Sequence, residues 1–170
     1  LSSLIKDTLN NLERESRFHS QLNIIYNRVS NSSSNSDKTK LRELTNSNFT
    51  KAFDNVKYII KGWENLPDEP TNIFFYNHLA AIDDNQLANG HSFSIDSHFI
   101  SSKILHPKYN DGGQRIVRTS RNTEFWRYNY YENLDYIFVH TPESDYLNET
   151  QEQKKKRKSK LFIETQNIFD

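Results

Sequence analysis

The spacing of apolar residues changes character at Val56, and the change divides the chain into two regions. Before it, Leu1, Leu4, Ile5, Leu9, Leu12, Phe18, Leu22, Ile25, Tyr26 and Val29 fall mostly three or four apart. That spacing predicts an amphipathic helix, in one piece or two. Residues 30–40, SNSSSNSDKTK, lack apolar anchors and read as a flexible loop, and residues 41–54 read as a second helix. After Val56 the apolar residues form short runs set between turn residues. VKYIIKG reads as a strand ended by Gly62, ENLPDEP as a turn, NIFFY as a strand and LAAIDDNQLA as a helix. SHFISSKIL then reads as a strand, HPKYNDGG as a loop, QRIVR as a strand, RNTEFWRYNYYENL as an aromatic helix and DYIFV as a strand. This alternation predicts an α/β protein: N-terminal helices followed by a mixed, largely parallel sheet flanked by helices. The expected division is 1–55 for the helices and loop and 56–170 for the α/β domain, ending in a charged run and a mildly amphipathic tail.

Composition narrows the function. At 170 residues, with 34% hydrophobic residues and a mean hydropathy of -0.88, the chain has room for one modest core. No run is long enough for a membrane span and no signal-like leader is visible, so a cytoplasmic protein is expected. The absence of cysteine excludes a disulfide scaffold, a thiolate nucleophile and Cys-ligated zinc. Twenty-two basic and twenty-two acidic residues cancel, which removes the global charge signature of a nucleic-acid binder. The start at Leu1 and the absence of methionine give the expectation of a fragment of a longer protein.

Four of the six histidines have an aspartate five residues later: His78/Asp83, His91/Asp96, His106/Asp111 and His140/Asp145. With eleven aspartates in the chain, chance predicts fewer than one such pair. On a regular helix residues five apart differ by about 140° in direction, so such a pair converges only across a turn. His78 has the best setting, where an apolar strand is expected to give way to a helix at the carboxyl end of a sheet. There an imidazole could act as general base toward a hydroxyl while the carboxylate holds its tautomer. The alternative is that His78 caps the helix start and Asp83 is a solvated helix residue. His91 and His98 with Asp96 lie close in sequence but match no metal-specific pattern, and no metal is expected.

The surrounding residues favour the first pair. YIIKGWENLPDEPTNIFFYNHLAAIDD resembles the glycerolipid acyltransferase superfamily, the lysophosphatidic acid acyltransferase-like enzymes with an N-H-x-x-x-x-D motif. SHFISSKIL is similar to the family strand with a following lysine, here Lys103. GGQRIVR is similar to its second motif, with Arg118 in the arginine position, and YIFVHTPESD resembles the third, matching Pro142 and Glu143. The resemblance covers about residues 56–145. It implies transfer of an acyl group from acyl-CoA or acyl carrier protein, as co-substrate and without a further cofactor, to a lipid-like hydroxyl acceptor such as a lysophospholipid or glycerol phosphate. It makes His78 the base, Asp83 its orienting partner, Arg118 the ligand of the acceptor phosphate and Glu143 a support for the acceptor site, with Asn77 and Arg115 alongside.

The third motif departs from the family pattern. Glu143 is followed by Ser144, Asp145 and Tyr146 where the family continues Gly-Thr-Arg, which replaces a phosphate ligand and adds a carboxylate. The later strand and proline motif are also absent after residue 147, so the acyl-binding half is expected either to be missing or to lie beyond Asp170. Arg115 and Arg121 read more readily as solvated charges than as anion ligands. The aromatic cluster Phe125, Trp126, Tyr128, Tyr130 and Tyr131 reads as helix-to-sheet packing rather than an acyl channel. KKKRKSK, from Lys154 to Lys160, could meet anionic headgroups at about 1 kcal/mol per residue near a surface, or form a solvated helix face. The competing readings are a catalytically inactive acyltransferase-like interaction module and a nucleic-acid-binding domain using that basic run.

Overall fold

The structure is a computed structural model and describes residues 2–33, 36–54, 56–77, 86–119, 124–139 and 150–169. Its order is α1 (Ser2–Ser30), α2 (Lys38–Ala52), a 3-10 turn (Trp63–Asn65), α3 (Ile95–Phe99), a π-helical segment (Ile100–Leu105), α4 (His106–Tyr109), β1 (Ile116–Arg118), α5 (Phe125–Asn133), β2 (Ile137–Val139) and α6 (Gln151–Phe169). The protein is mixed α/β, as the alternation predicts. The largely parallel sheet flanked by helices is corrected: among the described residues the sheet has two strands.

The N-terminal spacing forms a single helix. Leu22, Ile25, Tyr26 and Val29 repeat at i, i+3, i+4 and i+7, and all four are buried. They join Leu41 and Phe49 of α2, and Tyr130, Tyr131 and Leu134 at and just past α5, in one core. The polar ends of this contact are also satisfied. The Tyr26 hydroxyl donates to the Trp126 carbonyl at 3.1 Å, and Asn133 Nδ2 donates to the Val29 carbonyl at 2.8 Å. The first half of α1 behaves differently, with Leu4, Ile5, Leu9 and Leu12 exposed. The α2 helix begins at Asp37, whose carboxylate accepts from the Lys40 amide at 3.1 Å as an N-cap.

Three expected strands are corrected. Residues 56–62 are irregular, with Ile59 84% exposed, and close on Gly62 in the left-handed conformation (φ 78°) before the 3-10 turn. An apolar, β-branched sequence becomes a strand only where a sheet edge receives it, and here none of the described residues does. Residues 72–76 have no regular secondary structure and join no ladder among the described residues. Their sides alternate: Phe74 lies against Tyr109 and the Tyr76 hydroxyl donates to Ser97 Oγ at 2.6 Å, whereas Phe75 is 91% exposed. The third, 97–105, is helical, continuing from α3 through the π segment into α4. Ser102 makes this possible by donating its hydroxyl to the His98 carbonyl at 2.6 Å, which lets a serine be fully buried on a helix. The turn before the second of these segments packs on α4, where the Tyr109 hydroxyl donates to the Pro67 carbonyl at 2.7 Å.

The segments predicted as QRIVR, the aromatic helix and DYIFV form β1, α5 and β2. The strands pair in parallel with Ile116 opposite Ile137, Val117 opposite Phe138 and Arg118 opposite Val139. Parallel neighbours need a crossover, and α5 supplies it. Tyr128 stacks on Phe138 at 5.3 Å, so part of the aromatic cluster is helix-to-sheet packing. Past the end of α5, Asp135 takes a left-handed conformation (φ 57°), and its carboxylate accepts from Arg42 of α2 at 3.2 Å and Gln114 at 2.9 Å.

The loop into β1 has one tight approach. A Cβ on Gly112 would lie 2.0 Å from Asn46 Nδ2 and 2.5 Å from its Cγ, and Asn46 is buried in α2. Gly112→Ala is therefore expected to destabilise the fold by about 1–3 kcal/mol, the usual range for overpacking, read as a lower urea midpoint with unchanged slope.

Candidate active site

His78, Asp83, Arg121 and Glu143 lie outside the described residues, as does most of the expected LAAIDDNQLA helix. Asn77 is described and exposed. Its neighbour Tyr76 tethers the incoming chain to α3 through Ser97. The chain entering the N-H-x-x-x-x-D segment is thus held beside α3 at Tyr76.

Arg118 ends β1, at the carboxyl end of the parallel pair. Its neighbour Thr119 continues the pairing by donating its amide to the Val139 carbonyl at 2.8 Å. The guanidinium is already engaged by a carboxylate: Nη1 donates to Glu124 Oε2 at 2.8 Å and Nη2 to Oε1 at 2.6 Å, a two-point fork. This hydrogen bonding raises the Arg118 pKa above its ordinary value, against a smaller opposing effect of burial. Glu124 was not singled out in the sequence. The only signal was an acidic residue at the mouth of the aromatic helix, six residues after the arginine.

Arg115 sits deeper. Its guanidinium donates to Ser101 Oγ at 3.1 and 3.3 Å, lies over the Tyr136 ring at 5.3 Å, and brings Nη1 to 3.0 and 3.3 Å from the two ring nitrogens of His98. His98 is fully buried. Its Nδ1 is 2.8 Å from the Ser94 carbonyl, which only accepts, so Nδ1 carries the proton. Nε2 is then the acceptor, 3.1 Å from the Tyr130 hydroxyl. A second proton would meet donors on that side. Burial, and then the Arg115 charge, hold the His98 pKa well below its ordinary value, with the Ser94 bond opposing. Arg115 is thus tied into a part-buried network with Ser101, His98 and Tyr136.

His91 is the second buried imidazole. It is enclosed by Tyr26 at 4.7 Å, Phe93 at 4.7 Å, Tyr130 at 5.0 Å and Tyr131 at 6.3 Å, and its Nε2 has no hydrogen-bond partner. Burial and then the Arg127 charge lower its pKa to about 3. His91 and Asp96 are not a converging pair: Asp96 lies in the first turn of α3, where its carboxylate accepts from the Ser97 amide at 2.8 Å.

The remaining expected groups are placed as follows. Lys103 pairs with Asp54 at 2.9 Å and lies over the Tyr58 ring. Tyr130 and Tyr131 are buried in the core, and the Trp126 indole lies against Gly90. The basic run is on α6, where Lys155, Lys156 and Lys158 are exposed, as are Phe162 and Ile163 beyond them. A surface hollow of about 350 Å³ lies between α1 and the end of α2, lined by Arg14, Phe18, Gln21, Lys51 and Val56 among others, none of which belongs to the expected site. Among the described residues no group of three or more His, Asp or Glu could hold a metal, and no helix is long and apolar enough to cross a membrane. No protein-family model, curated protein or solved structure matches the chain.

Proposed function

We propose that the protein is an O-acyltransferase of the glycerolipid type, moving a fatty acyl group from acyl-CoA or acyl carrier protein to a hydroxyl acceptor. His78 takes the proton from the acceptor hydroxyl as its oxygen attacks the thioester carbonyl, Asp83 holds the imidazole tautomer, and the C–S bond breaks as the imidazolium returns the proton to the departing sulfur, releasing the carrier thiol. No nucleophilic side chain is needed when the acceptor attacks directly. Arg118 binds the anionic part of the acceptor and Glu143 supports the acceptor site. The observation that carries this reading is the parallel pairing of β1 and β2. It puts Arg118 and Val139, the last residues of the two strands, side by side at the same end of the sheet, which is where open α/β sheets bind ligands. The Tyr76–Ser97 tether holds the chain just before Asn77 against α3. The enzyme by this reading works in the cytoplasm, and the exposed lysines of α6 give it peripheral contact with an anionic membrane.

The test is incubation with acyl-CoA and a panel of lysophospholipids, glycerol phosphate and neutral alcohols, with products read by mass spectrometry. Acylated product from at least one acceptor is expected. The altered sequence after Glu143 places phosphate-free acceptors on an equal footing with phosphorylated ones. Absence of product from every acceptor with both donor carriers would favour the inactive interaction module.

A further inference from the structure

The Arg118–Glu124 fork has the geometry of a ligand site that is already filled. Two carboxylate oxygens meet the two terminal nitrogens of one guanidinium, which is how an arginine grips a phosphate. The pair spans the exit of β1 and the mouth of α5, and it remains open to solvent, with the Arg118 and Glu124 side chains 30% and 22% exposed. Nη1 makes one further bond, to the Thr119 carbonyl at 3.3 Å.

We propose that Glu124 is an internal counter-ion that occupies the anion-binding fork of Arg118, so that a phosphate monoester reaches Arg118 only by displacing the Glu124 carboxylate. This rests on the reading of Arg118 as the acceptor's anion ligand and adds a regulating residue to it. The carboxylate carries one negative charge and the phosphate monoester close to two at neutral pH, so the ligand can win the exchange. The carboxylate is covalently tethered beside the fork, which gives it a high effective concentration and keeps apparent affinity low. Weak anions and monoanions are thereby excluded, while a phosphorylated acceptor is admitted at a reduced affinity.

The experiment is a calorimetric titration with inorganic phosphate, without acyl donor, of the wild type, E124Q and the E124Q/R118Q double variant. Glutamine keeps the shape of Glu124 and removes its charge. E124Q is expected to bind phosphate at least about tenfold more tightly than wild type, and the double variant to lose that gain. Equal affinity in wild type and E124Q, both folded by far-UV circular dichroism, would overturn the proposal, and so would a gain that persists without Arg118. Should E124Q not fold, the wild type itself decides the matter. Phosphate must then shift the Arg118 Nε–Hε resonance, assigned by its loss in R118K, and an unmoved resonance at saturating phosphate overturns the proposal. Because no acyl donor is present, failure here leaves the acyltransferase reading standing, and absence of acyl transfer leaves this result unaffected.

Discussion

Lowering the pH from 7 to 4 is expected to remove about 3 kcal/mol of stability from the wild type through His91 alone. The sign follows from where the proton goes. His91 is neutral in the fold with a pKa lowered to about 3, against an ordinary value of 6.5 in the unfolded chain. The stability this provides is complete above pH 6.5 and is lost as the pH falls from 6.5 toward 3, because only the unfolded chain takes up the proton. His98, buried and facing Arg115, acts in the same direction. These groups sit where the core can least tolerate charge: His91 lies among Tyr26, Phe93, Tyr130 and Tyr131, with Arg127 over the Tyr131 ring. The measurement is urea unfolding at pH 7 and pH 4 of wild type and H91F. Phenylalanine suits the aromatic cage and leaves no unpaired Nε2. Comparing the two proteins cancels the carboxylates, which titrate in both. Wild type should lose about 3 kcal/mol more than H91F on acidification. Equal losses would show that His91 is not held neutral by burial.

The same two imidazoles show why some of the structure was legible in the sequence and some was not. The α1 face was legible because Leu22, Ile25, Tyr26 and Val29 obey helical spacing, and β1, α5 and β2 because short apolar runs flank an aromatic helix of the right length for a crossover. The 97–105 segment was misread as a strand. Its buried face is made partly of serine, and Ser102 reaches full burial only by returning its hydroxyl to the His98 carbonyl, a contact that apolar periodicity does not register. The runs at 56–62 and 72–76 carry strand-forming residues, but strand formation depends on a partner edge that local sequence does not encode. In the candidate site, Arg118 at the end of a strand was legible from GGQRIVR. Its engagement by Glu124 was not, because a spacing of six across a strand-to-helix turn has no fixed geometry. Nor was the contact of Arg115, the residue before β1, with His98 of α3.

Replacing His78 by alanine carries the second large effect. A positioned general base contributes on the order of 10²- to 10⁴-fold to rate, so H78A should lose acyl transfer by that factor while keeping the wild-type circular dichroism spectrum. Asp83→Asn should lose less, since it leaves the base in place and disturbs its tautomer and charge. The other three spaced pairs provide internal controls. His106→Ala removes a histidine of identical spacing in α4 and should leave transfer unchanged. The decisive measurement is the initial rate of acylated product from acyl-CoA and the best acceptor, in wild type, H78A and H106A at equal concentration. The account predicts product from wild type and H106A at similar rates and a loss of at least about 10²-fold in H78A. Equal rates in wild type and H78A would contradict it.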